Sequence, residues 1–445
     1  MHLNTRMQRV IEKSLEKWAS GKAPKPLLIR GARQVGKSWS VRQLGNMLFP
    51  GKYVEINFEK MPNLHQVFKE DFDVQRIVQE LELLMNVSIE KGSTLLFFDE
   101  IQECPEAIIA LRYFYEDMPG LHVVAAGSLL EFALSTISFP VGRIEQIAMH
   151  PFTFVEFLRA TGKEKIANLL ELQPVEQSEM VTQIISKSLE AYFIVGGMPA
   201  CINEYLETNN FAKVQVVQEN LLLSYQQDFN KYRPFVNVDC LSDVLQNVVQ
   251  KIGQQIIYTK LSDRFTMPTI KKAFEALTKA RLLHKVTNVS VAGLPLAASG
   301  KQFKSIFLDI GLFTKFSRLN IIEELEKKAL SSMFNGALAE QFVGQEIMAK
   351  NNELNYWART EKSSTAEVDY VIVQEGKIIP IEVKAAVSGS LRSLHLLLQS
   401  NAHIKSALVI SNARLGKIDN LHFIPLGHTG QFVSVRDPEN LFYKT

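Results

Sequence analysis

Cysteine is scarce. The 445 residues hold three, Cys104, Cys201 and Cys240, spaced too widely for a metal knuckle. A disulfide framework is therefore excluded, and a reducing compartment is expected, which makes the predicted localisation cytoplasmic. No apolar run reaches about 18 residues, so no membrane span and no membrane partner are predicted. The first thirty residues carry amphipathic-helix spacing (Met7, Val10, Ile11, Leu15, Trp18) rather than the pattern of a signal peptide. Charge of one sign is missing as well. Against 49 basic residues stand 47 acidic ones, a net charge of +2, so no global field draws nucleic acid or an acidic membrane. A local basic face stays open. Repeats and low-complexity tracts are absent. With 46% apolar and 22% charged residues, the chain has the make-up of a globular protein. Its length suits two or three domains.

What is present begins with GARQVGKS at residues 31–38, a fit to G-x-x-x-x-G-K-[ST]. The apolar KPLLIR before it predicts a buried parallel strand, and SWSVRQLGNML after it predicts a helix with Val41, Leu44, Met47 and Leu48 on one face. Strand, glycine-rich turn and helix form a phosphate cradle, because loop N–H groups and the helix N-terminus all point at the anion. Gly31, Ala32, Arg33, Gln34, Val35 and Gly36 would line the cradle. Lys37 would reach the β- and γ-phosphates and Ser38 would bind Mg²⁺.

A phosphate cradle of this kind calls for a carboxylate beyond a neighbouring buried strand. TLLFFDEIQ at 94–102 supplies one. Asp99 is expected to hold Mg²⁺ through water, and Glu100 to orient the attacking water. KYVEINFE (52–59), LHVVAAGS (121–128) and RIEQIAMH (143–150) read as further strands, alternating with helices at 75–91 and 105–117. Such alternation predicts a parallel sheet covered on both faces. Ser128 ends one strand, where it either senses the γ-phosphate or caps the next helix. Arg143 is either a finger for transition-state charge, in cis or in a neighbouring subunit, or an ordinary surface arginine.

Taken in order, LLIRGARQVGKS, EINFEK, LLFFDEIQECPEAIIALRYFYE, VVAAGSLLEF, SFPVGRIE and HPFTFVEFL resemble a family of AAA-type prokaryotic ATPases. The resemblance runs on through YFIVGGMPA (192–200) into the C-terminal domain of unknown function that ends these proteins. It implies ATP binding, and hydrolysis by Lys37, Ser38, Asp99 and Glu100. It leaves the biological role open. Serine stands at 38 where many relatives have threonine; either hydroxyl can bind magnesium.

The middle of the chain is plainer. Residues 161–230 read as helices, and GGMP at 196–199 as a turn and a joint between domains. In IIYTKLSDRFTMPTIKKAFEALTKARLLHKV (256–286), Thr269 is expected just before a helix with Ile270, Phe274 and Leu277 inward, followed by a strand from RLLHKV. Helix, turn, helix and strand resemble a winged helix. Lys271, Lys272, Lys279, Arg281 and Lys285 make it basic, which suits DNA phosphates. A domain that contacts only protein accounts for the same residues.

The second chemical signal is EVDYVIVQEGKIIPIEVKAA at 367–386, which predicts a hairpin about a Glu-Gly-Lys turn. Glu382 and Lys384 lie two apart and share a face, and the hairpin brings Asp369 beside them. Two carboxylates for Mg²⁺ and a lysine beside a water suit phosphodiester hydrolysis. The pattern resembles the PD-(D/E)xK nucleases. That resemblance adds Glu340, in FNGALAEQFVGQEI (334–347), as the first-helix glutamate, with LRSLHLLLQ and SALVISN as the completing helix and strand. Glu326/Lys328 and Glu375/Lys377 also read E-x-K, in unsuitable settings. A fold of this kind kept only for binding is the alternative.

The expected class is therefore α/β: a P-loop ATPase parallel sheet over 1–160, a helical and winged-helix-like region over 161–330, and a restriction-endonuclease-like α/β domain over 331–445. The expected function is ATP-driven action on nucleic acid, with ATP and Mg²⁺ as cofactors and self-association open. The alternative is a signalling ATPase whose C-terminal half binds a protein partner and cuts nothing. A kinase is disfavoured, because the Asp99–Glu100 pair suits water activation better than a protected hydroxyl.

Overall fold

A computed structural model describes residues 7–134, 142–172, 176–232, 236–317, 332–350, 353–359, 365–385 and 390–432. Ser138–Val141 of the SFPVGRIE motif and the pair Glu326/Lys328 lie outside the described residues. The chain forms two compact units, Gln8–His150 and a second running from Pro151.

The first unit is built on five strands: β1 Leu27–Arg30, β2 Tyr53–Asn57, β3 Leu95–Asp99, β4 His122–Gly127 and β5 Glu145–Ala148. All pair in parallel, in the order β2-β3-β4-β1-β5. Every residue of β3 and β4 is buried, as a strand covered on both faces requires. Phe98, Val123 and Ala125 pack against Ile77 and Leu81 of the helix Val74–Met85, and against Ile108 and Leu111 of the helix Pro105–Asp117. Each of these larger side chains, Ala125 apart, contributes roughly 1.5–3 kcal/mol on burial. The Val74–Met85 helix starts where Asp73 accepts from the N–H groups of Gln75 and Arg76. It ends at Asn86, whose backbone is left-handed (φ 52°). That turn stops the helix short of the expected residue 91. The unit is thus a five-stranded parallel α/β sheet covered by helices.

The second unit begins with helices, among them Glu179–Val195, Pro199–Thr208, Phe211–Asp228, Val238–Val249 and Met267–Lys279. The GGMP turn is packed inside this unit, and the division between units falls at His150/Pro151 instead. Gly196 turns at φ 75°, where an added Cβ would meet Asp309 Oδ1 at 2.2 Å. The buried Asp309 carboxylate accepts from Gly197 N–H (2.6 Å) and caps the next helix at Leu312 N–H (3.0 Å). Burial lifts Asp309 to about 6 despite those N–H donors.

Eight strands follow in one mixed sheet: β6 Leu283–Ser290, β7 Ala297–Phe307, β8 Asn355–Ala358, β9 Glu367–Gln374, β10 Lys377–Val383, β11 Ala407–Ser411, β12 Gly416–Ile418 and β13 Leu421–Pro425. Their order is β12-β13-β11-β10-β9-β8-β6-β7, so the sheet takes strands from both sides of residue 331. β9 and β10 form the expected hairpin. Its loop is Glu375–Gly376 (φ 49° and 73°), the positive angles a two-residue turn needs to match strand twist. The Met267–Lys279 helix begins one turn earlier than expected. Thr266 is its N-cap and Pro268 sits in the first turn, which puts Thr269 inside it.

Candidate functional site

At the carboxyl end of β1 the chain turns sharply into the helix Lys37–Leu48. A Cβ on Gly31 would lie 2.4 Å from the Met149 carbonyl oxygen, so only glycine fits there. Gly36 is left-handed at φ 102°. Buried Arg9 braces the loop, donating to the carbonyls of Val35 (2.9 Å) and His150 (2.7 Å). The Lys37 ammonium donates to the carbonyls of Gly31 (3.0 Å) and Ala32 (2.8 Å), so it lies folded over the cradle.

Asp99 ends β3 beside this loop. Its Oδ1 accepts from Ser38 Oγ (2.8 Å) and its Oδ2 from Asn57 Nδ2 (3.0 Å), at the end of β2. Burial holds the Asp99 carboxyl above the ordinary carboxylate range, while the Ser38 and Asn57 bonds oppose that shift. Glu100 follows in the left-handed region, φ 49° and ψ 45°. Such a backbone costs a non-glycine residue on the order of 1–3 kcal/mol and is characteristic of functional sites. Gln102 Nε2 donates to Glu100 Oε2 at 2.7 Å, and Ser128 Oγ stands 3.4 Å from the same oxygen. Arg143 is not drawn in. Its half-exposed side chain pairs with Glu116 at 2.8 Å.

Sequence reasoning missed Arg9, Asn57 and Gln102. The asparagine lay in EINFEK, and its place at a strand end next to β3 was the available signal.

The second constellation lies on the eight-stranded sheet. The β9–β10 register runs to Tyr370 opposite Ile381, and one step beyond it Asp369 and Glu382 fall on the same face. Asp369 Oδ2 accepts from Val383 N–H (2.9 Å), and Lys384 Nζ reaches Glu382 Oε1 at 2.6 Å. Glu382 Oε2 is buried and has no hydrogen-bond partner among the described residues. Glu340 arrives on the helix Ser332–Ala349. The four expected residues are thus gathered. Two more join them that the sequence did not disclose. Lys304 of β7 sits 2.7 Å from Glu340 Oε2, 2.7 Å from Glu367 Oε1 and 3.2 Å from Asp369 Oδ1. Burial works against its charge, but Glu340, Asp369 and Glu367 outweigh it and keep the ammonium protonated. Burial, then the nearby Asp369, pushes Glu340 and Glu382 far above the usual carboxylate range. As the side chains stand, with the Lys304 ammonium among them, no group of three or more His, Cys, Asp or Glu among the described residues is spaced to hold a metal ion.

Of the basic residues at 271–285, Lys271 and Lys272 are exposed, Lys271 within 3.8 Å of Glu275. Lys285 lies against the rings of Phe303 (5.0 Å) and Tyr258 (5.5 Å). No helix among the described residues is long and apolar enough to cross a membrane.

A glycine turn from a parallel strand into a helix, with a hydroxyl-bound aspartate on the next strand but one, defines a P-loop nucleotide-binding domain. The family comparison agrees with that class: residues 23–158 match the family described as AAA domain. Residues 186–322 and 335–428 match two domains of unknown function, DUF8612 and DUF4143. The uncharacterized protein MJ1544 of Methanocaldococcus jannaschii is 22% identical over 355 residues, 79% of this chain and 72% of its own. Among solved structures, a Walker-type ATPase of Pyrococcus abyssi aligns at 18% identity and a TM-score of 0.45, over 70% of this chain and 96% of its own. The RuvB Holliday junction branch migration motor of Thermotoga maritima aligns at 14% and 0.31, over 62% and 88%. AMPPCP-bound DnaA of Aquifex aeolicus aligns at 16% and 0.27, over 61% and 75%.

Proposed function

We propose that the chain hydrolyses ATP in its first unit and uses the turnover to act on nucleic acid through its second. The observation that carries the first half is the Ser38–Asp99 hydrogen bond beside Lys37. In this reading the loop N–H groups and the Lys37 ammonium take the phosphate oxygens. Mg²⁺ held through Ser38 and Asp99 would neutralise charge between the β- and γ-phosphates. Glu100 orients the attacking water. With Oε2 committed to Gln102, Oε1 is the oxygen left to accept the water's proton. Ser128, with Oγ 3.4 Å from Glu100 Oε2, would follow the γ-phosphate. Arg143, paired with Glu116, serves the site only by exchanging that partner, and a neighbouring subunit is the natural place for its action.

Nucleic acid enters the reading through the exposed Lys271 and Lys272 and through the carboxylate cluster. Asp369 and Glu382 share a face, and the free Glu382 Oε2 fits a cation ligand. A divalent ion there would polarise a phosphodiester. Lys384, held on Glu382, would position the attacking water. The domain partition 1–160, 161–330 and 331–445 goes with this reading as a division of tasks.

The test is ATP turnover with and without duplex and single-stranded DNA and RNA, together with cleavage in Mg²⁺ or Mn²⁺. Stimulation by nucleic acid, and cutting abolished by Asp369→Ala and by Lys384→Ala with turnover intact, are expected. A second reading, a signalling ATPase that binds a protein partner and cuts nothing, draws on Lys304, which already occupies part of the cluster. It predicts turnover indifferent to nucleic acid and no cutting.

A further inference from the structure

Lys304 belongs to none of the motifs described above, and its position is unusual. It stands on β7, at one edge of the sheet, yet its side chain crosses toward β9, passing the Tyr356 ring of β8 with Nζ 5.9 Å from the ring centre. Its ammonium then meets one oxygen each of Glu340, Glu367 and Asp369. The side chain is 3% exposed, so water does not share the work of solvating that charge. An ammonium has three N–H donors, and here there are three carboxylate acceptors.

The distances are those of an ammonium. Oxygens at 2.7, 2.7 and 3.2 Å surround Nζ, whereas a divalent ion draws oxygens in to about 2.0–2.6 Å. The cluster has two halves. Lys304 fills the Glu340 half. On the other side Lys384 takes Glu382 Oε1 and leaves the buried Oε2 without a partner among the described residues. Asp369 joins both halves, with Oδ1 on Lys304 and Oδ2 on Val383 N–H.

We propose that the Lys304 ammonium is the resident cation of the Glu340–Glu367–Asp369 half, standing where a divalent ion would otherwise bind. The inference deepens the metal-binding reading of the cluster and rests on it for the ion expected beside Glu382. Lys304 is a positioning residue: it fixes Glu340 and Asp369 and restricts any ion to the Glu382 side.

The test counts Mn²⁺ bound per full-length chain by electron paramagnetic resonance, without nucleotide and in an Asp99→Asn background that silences the ATPase ion site. Lys304→Met is expected to bind one Mn²⁺ more than its parent, and Lys304→Met/Glu340→Gln to lose that extra ion. Should Lys304→Met fail to fold, Lys304→Gln, which removes the charge but keeps a donor and leaves all three carboxylates in place, repeats the count with the same expectation. Equal stoichiometry in parent and Lys304→Met overturns the proposal. So does an extra ion that survives Glu340→Gln. A parent that binds no Mn²⁺, with one ion gained on removing Lys304, supports the role given to Lys304 and refutes the metal reading of the Glu382 half.

Discussion

Ser38 Oγ donates to Asp99 Oδ1 across 2.8 Å, joining the P-loop to the end of β3 over a separation of 61 positions. Asn57 fixes the other oxygen of the same carboxylate. One prediction concerns that third partner. Asn57→Ala frees Oδ2 and lets the Asp99 side chain turn, so the affinity for Mg²⁺–ATP should fall about tenfold, on the order of 1–2 kcal/mol. Nucleotide affinity in EDTA should stay unchanged. Isothermal titration with and without Mg²⁺ reads both values. Equal losses in the two conditions would place Asn57 in loop stability rather than ion binding.

The carboxylate cluster makes stability depend on pH. Glu340 and Glu382 are pushed up from an ordinary 4.5 to about 8, first by burial and then by Asp369. A carboxyl with a raised folded value binds more protons folded than unfolded between those limits. Stability contributed by the second unit should therefore decline as pH rises from about 4.5 toward 8. A divalent cation should offset the decline near pH 8, because it takes the place of the protons. Melting curves across pH, with and without Mn²⁺, test this. Stability that rises steadily through that window in the absence of metal contradicts the burial argument.

Asp309 offers a structural prediction. Its carboxylate serves Gly197 and Leu312 at once. Asp309→Ala leaves two buried N–H groups unpaired and should cost roughly 2–4 kcal/mol. Chemical denaturation monitored on the second unit reads the loss.

Lys271→Glu together with Lys272→Glu should weaken duplex DNA binding and flatten its dependence on salt, since two phosphate contacts become repulsive. ATP affinity should not move. Salt titrations of binding that superpose for variant and wild type would remove this helix from any nucleic-acid interface.

The legible part of the molecule was the part written locally. The P-loop, the buried β3 and the β9–β10 hairpin each carry their signal within about ten residues, and each stands where it was expected. The carboxylates at 340, 369 and 382 could be grouped because two lie on one hairpin and the third follows a resemblance. Lys304 could not, because its partners are 36 to 65 positions away and an isolated lysine on a strand has no pattern. Asn57 and Gln102 stand inside quoted motifs and Arg9 outside them, yet all three escaped because each serves another residue, and a supporting side chain leaves no pattern of its own. The expected helix end at residue 91 failed on one residue, Asn86, whose left-handed turn the apolar spacing does not record.

In the proposed mechanism Glu100 activates water for ATP hydrolysis at a site assembled by Lys37, Ser38 and Asp99. The direct measurement is phosphate release and ATP binding by Glu100→Gln beside Lys37→Ala. Glu100→Gln is predicted to bind ATP as the wild type does and to turn it over at least a hundredfold more slowly, a barrier increase of about 2.7 kcal/mol or more, while Lys37→Ala loses binding. Wild-type phosphate release from Glu100→Gln would contradict the assignment.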